Sequence, residues 1–71
     1  MEQKLARYLL LLVNDKEMYD RFQALVQHKI ERHLKHLETT KDTVRIFEIQ
    51  GAIAELRRFE HIRAEIIEAA G

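Results

Sequence analysis

The hydrophobic pattern of this chain has a helical period almost throughout. Between Asp42 and Ala70 apolar residues recur at Ile46, Ile49, Ile53, Leu56, Phe59, Ile62 and Ile66. Steps of three and four place them on one stripe of an α-helix. No proline interrupts the stretch, and its one glycine is Gly51. At ~1.5 Å per residue this helix would be about 40 Å long, so it needs another helix alongside. The preceding segment supplies one: Tyr19, Phe22, Leu25, Val26, Ile30, Leu34 and Leu37 form a second stripe, with His33 at its edge. Residues 2–13 form a third, shorter helix. Leu5, Tyr8, Leu9 and Leu12 make one of its faces, and Leu10, Leu11 and Val13 make the others apolar as well. A helix that is apolar all round is buried on more than one side. Its extra leucines act either as a lid within the chain or as a subunit interface.

The polar punctuation sets the boundaries. Asn14, with Glu17 three residues on, resembles an N-cap with a capping box. The run Glu38-Thr39-Thr40-Lys41-Asp42-Thr43 favours turns and caps over helix interior. Thr39 or Thr40 is expected to cap the third helix, with Asp42 in its first turn. The pattern predicts helices at about residues 2–13, 15–37 and 41–70. The fold class is all-α: a short N-terminal helix, then a long antiparallel helical hairpin resembling a coiled coil, because so short a connection makes the two long helices neighbours. A turn centred near Thr40 puts residues whose numbers sum to about 80 opposite one another. Leu34 then faces Ile46, Ile30 faces Ile49, Val26 faces Ile53 or Ala54, Phe22 faces Leu56, and Tyr19 approaches Phe59. Gly51 stands out, because a mid-helix glycine costs roughly 1 kcal/mol against alanine and often marks a close approach of another backbone.

Length sharpens this reading. A chain of 71 residues buries only about 60% of its unfolded surface and is marginally stable without extra help. With no cysteine it cannot use disulfides, which fits a cytoplasmic setting. Regular helix packing and oligomerisation are the remaining aids. Twelve basic and twelve acidic residues cancel, which favours self-association over repulsion. The longest apolar run, Leu9–Val13, falls far short of the ~20 residues that span a bilayer, and it lacks the length and cleavage site of a signal peptide. No membrane role is expected.

Candidate chemistry is sparse. His33 and His36 share a helix face with His28 nearby, and His61 lies far along the chain. A metal site needs three or four ligands, so no metal is expected. Lys29, Arg32 and Lys35 on the second helix, with Arg57, Arg58 and Arg63 on the third, could meet phosphates. Interleaved glutamates make an ion-paired surface the simpler explanation, and nucleic-acid binding is the alternative. There is no serine, no cysteine and no glycine-rich phosphate loop, so neither an enzyme nor a cofactor is expected.

The stretch Gln50-Gly51-Ala52-Ile53-Ala54-Glu55-Leu56, continued by Phe59 and Ile62, resembles small tailed-phage proteins encoded among structural and head-morphogenesis genes. The resemblance spans residues 18–63. It implies a virion-associated or assembly-accessory helical protein without enzymatic activity, in the host cytoplasm or the virion. The expected function is protein–protein association, with a second copy or a larger protein. Leu9, Leu10, Leu11, Leu12 and Val13 would supply the interface, with Ile62, Ile66 and Ile67 as counterparts and Gly51 permitting close helix approach. A phage inhibitor docking on a host enzyme is a further alternative.

Overall fold

The computed structural model describes all 71 residues. As the periodicity predicts, the chain is all-helical, with 90% of its residues in helix and no strand. Helix α1 spans Gln3–Asn14, α2 Lys16–Thr39 and α3 Thr43–Arg58; a 3-10 turn, Phe59–His61, leads into α4, Ile62–Ala70.

The caps differ from those expected by one to three positions. Asp15, not Asn14, caps α2: its carboxylate accepts from the Met18 amide at 3.1 Å. Asn14 is instead the last residue of α1. Glu17 turns away from the cap and pairs with Arg21 at 2.6 Å. Asp42 rather than a threonine caps α3, accepting from the Val44 amide at 2.9 Å. Thr39 and Thr40 close α2 instead, both hydroxyls donating to the His36 carbonyl. In each case the carboxylate, a stronger acceptor beside a helix N-terminus than a hydroxyl or amide, takes the cap.

The main departure is the break in the third helix, which the periodicity predicts to run unbroken over residues 41–70. Its cause lies in the spacing. Leu56, Phe59 and Ile62 follow one another at three-residue steps. Each such step falls about 60° short of a full circle at 100° per residue, so an unbroken α-helix would turn Ile62 and Ile66 away from the core. A 3-10 turn has three residues per revolution and brings i and i+3 back into line. Two contacts hold the turn in place. The Gln23 amide donates to the Phe59 carbonyl at 2.7 Å, and the Phe59 ring meets Phe22 edge-on with centroids 6.2 Å apart. Such a ring pair contributes about 0.5–1.5 kcal/mol beyond its buried area.

The break divides the apolar residues into two clusters. Val26, Ile30, Ile49 and Ile53 are buried between α2 and α3, with Phe22, Leu37, Leu56 and Phe59 packed around them. Ala6, Val13 and Ile66 are buried where α4 meets α1, with Leu9, Leu10, Tyr19 and Ile62 around them. Val26 and Ile30 of α2 thus gather with Ile49 and Ile53 of α3 in one cluster. Phe22 meets Phe59. Tyr19 joins the second cluster, and it also approaches Phe59, because one Gln23 amide nitrogen donates to both the Tyr19 hydroxyl and the Phe59 carbonyl. Leu34 stays 40% exposed while Leu37 packs inward. Two contacts tie α1 and α4 head to tail: Gln3 to the Gly71 carbonyl at 3.3 Å, and Arg63 to the Val13 carbonyl at 3.4 Å.

On the outside, five ion pairs join residues three or four apart. Each is solvent-exposed to some degree and contributes a few tenths of a kcal/mol at most. Lys16 is raised above its ordinary range by the hydrogen bond and charge of Asp20.

Placing α4 by Ile66 has a direct test. Replacing Ile66 with Ala removes a side chain that is 1% exposed and is expected to cost about 2–5 kcal/mol in urea unfolding. The neighbouring Ile67→Ala, at a position 40% exposed, is expected to cost well under half as much.

Candidate functional site

The residues expected at an interface fall into three groups. Val13 and Ile66 lie in the chain's own core at 3% and 1% exposure. With α1 packed on its own chain they are covered by that chain and leave no free surface for a partner. Leu9, Leu10, Leu12 and Ile62 are half-buried, and Leu9, Leu10 and Ile62 pack on that same core. Leu11 and Ile67 face solvent, Leu11 at 81%. The apolar excess of α1 therefore divides between two faces. Ala6 and Val13 point inward to Ile66. Leu5, Tyr8 and Leu11 point outward, with half-buried Leu12 at the edge of the same face. Steps of three and four from Leu5 through Tyr8 to Leu12 match the a and d positions of a heptad seam.

Gly51 does not serve the role expected of it within the chain. A Cβ built there meets nothing within 4 Å, so no intrachain segment approaches closely. It lies on an outer stripe of α3 with Val44, Phe47 and Ala54, all exposed and spaced three, four and three. At 100° per residue this stripe lies opposite Ile49 and Ile53. Val44 and Phe47, each 66% exposed, were legible as an outer face from that spacing alone. They were missed because the inward stripe dominates the same helix.

The basic residues separate equally clearly. Arg57 pairs with Glu60 and Arg58 with Glu55, both at 3.5 Å, and Arg63 donates to the Val13 carbonyl. The Arg57–Glu60 pair is partly shielded, and Glu60 Oε1 has no hydrogen bond of ordinary geometry. Lys29, Arg32 and Lys35 form no ion pair. Lys29 and Arg32 join His33 and His36 around a notch of about 370 Å3 with no apolar lining. Lys35 falls outside it, about 120° around the helix from Lys29. Of the six basic residues, only Lys29 and Arg32 line this notch. No group of three or more His, Cys, Asp or Glu side chains is placed to hold a metal ion, and no helix is long and apolar enough to cross a membrane.

No protein-family model matches the chain, no curated protein matches it in sequence, and no solved structure matches it in fold. Function is therefore argued from the exposed surfaces alone.

The open space at Gly51 makes Gly51→Ala informative. Its backbone has no positive φ, so alanine fits the helix without strain. The variant is expected to be more stable by about 0.5–1 kcal/mol in thermal or urea unfolding. A loss of stability would mean that another chain lies against the glycine.

Proposed function

We propose that this chain is a non-enzymatic helical association module that pairs with a second copy of itself through the outer face of α1. In this reading α2 and α3 act as an antiparallel hairpin, and α4 fastens α1 to it so that its outer face is presented rather than buried. The carrying observation is the exposure of Leu5, Tyr8 and Leu11 on a helix whose opposite face, Ala6 and Val13, is already buried. Leaving a leucine or tyrosine exposed forgoes about 1.5–3 kcal/mol of burial. Contiguous apolar surface on a small domain is what an interface uses. A two-fold pairing of identical faces closes on itself, each copy covering the same face of the other.

The residues retained for this role are Leu11, Leu12 and Ile67, joined by Leu5 and Tyr8. A setting in a phage particle or its assembly is supported by the Gln50–Leu56 resemblance alone, and the pairing does not depend on it.

Light scattering at tens of micromolar is expected to give twice the mass of one chain. The double variant Tyr8→Glu/Leu11→Glu is expected to give a single chain with its helical circular dichroism intact, because neither side chain belongs to either buried cluster. A wild-type protein that stays monomeric, with nothing co-purifying, contradicts the proposal.

A further inference from the structure

Two concavities on one side of α2 share a residue. One, of about 180 Å3, has a floor of Phe22, Leu25, Val26, Leu56 and Phe59 with Lys29 at its edge. The other is the notch bounded by Lys29, Arg32, His33 and His36. Because Lys29 borders both, the two adjoin along one face of α2 and make up a trough of two compartments, one apolar and one basic. From Leu25 to His36 the trough follows α2 for about 16 Å, or three helical turns.

We infer that this trough docks an acidic amphipathic helix of a partner protein, on a surface separate from the α1 face used for self-association. Charge argues for the acidic end. Lys29 and Arg32, like Lys4, Arg7, Lys35, Lys41 and Arg63, have no carboxylate partner in this chain, and these two are the ones that border a concavity. The carboxylates nearest in sequence, Glu31 and Glu38, lie on the opposite side of α2 at 100° per residue. The apolar end argues for a helix. Leu25 is half-exposed beside the Phe22–Phe59 ring pair. Apolar anchors at i, i+3 and i+4 of a docked helix would cover it. Neither concavity is closed as a small-molecule site is. A nucleic acid would leave the apolar floor uncovered, and three of the six arginines and lysines first considered for phosphate are engaged elsewhere. The partner segment is thus a helix of about three turns, with two or three apolar anchors over Leu25 and Phe59 and two acidic residues some two turns along, against Lys29 and Arg32.

The probe is a fluorescein-labelled synthetic helix with leucines at i, i+3 and i+4 and glutamates two turns later, followed by anisotropy at low salt. Binding is expected, and Lys29→Glu/Arg32→Glu is expected to weaken it by about tenfold or more. A probe with lysines in place of the glutamates is expected to bind that variant better than the wild type. Both variant positions are exposed, and circular dichroism checks that the fold persists. Tyr8→Glu/Leu11→Glu is expected to bind the probe as the wild type does, which keeps this test distinct from that of self-association. The inference is overturned if the probe does not bind, or if a glutamine version binds equally well. It is also overturned if the double variant is unchanged, or if duplex or single-stranded DNA binds more tightly than the probe.

Discussion

Burial of Ile66 between Ala6 and Val13 is the contact on which the rest of the arrangement depends. The α2–α3 pair has its own buried residues, Val26, Ile30, Ile49 and Ile53. From it only Tyr19 reaches the cluster beneath α1. The Ile66 side chain fills the space against the inner face of α1. Full burial of one such side chain stabilises by roughly 1.5–3 kcal/mol, a large share of the few kcal/mol that hold a small domain together. The contact in turn requires the 3-10 turn at Phe59–His61, since an unbroken helix would point Ile66 elsewhere. Gln23 and Phe22, holding Phe59 from α2, therefore reach through the turn to fix α1. Local backbone geometry, a side-chain hydrogen bond and a remote packing contact form one chain of dependence.

Much of this was legible in the sequence, for physical reasons that also explain what was not. Apolar residues at steps of three and four state the helical period directly. The stripes of α2 and α3, and the gathering of Val26, Ile30, Ile49 and Ile53 in one cluster, follow from it. The break was written in the same pattern as consecutive three-residue steps at Leu56, Phe59 and Ile62. No proline or glycine advertised it, and a stripe that drifts slowly around a helix looks continuous. The caps were misplaced because Asn14 and Asp15, or Thr40 and Asp42, are all competent capping residues. Only the final backbone decides which of them stands at the N-cap. The double-sided character of α1 was visible in its composition, but which leucines faced inward depended on Ile66.

The surfaces show how a small chain with balanced charge divides its roles. Its paired arginines and glutamates are spent along the helices on which they sit. The unpaired Lys29 and Arg32 are set beside exposed apolar side chains, a combination suited to protein rather than phosphate backbone. The outer face of α1 is apolar with charge only at its borders. Gly51 belongs to a third face with Val44 and Phe47, where it costs helix stability and nothing in the chain uses the space.

The central claim is that α1 uses one face within its own chain and the other between chains. Isotope-filtered NMR on a mixture of 13C-labelled and unlabelled protein tests both halves in one spectrum. The account predicts that contacts between the Ala6 and Ile66 methyls arise within a chain, while contacts from Tyr8 and Leu11 cross between chains. Contacts between Ala6 and Ile66 that cross between chains, with Tyr8 and Leu11 making none, would contradict it.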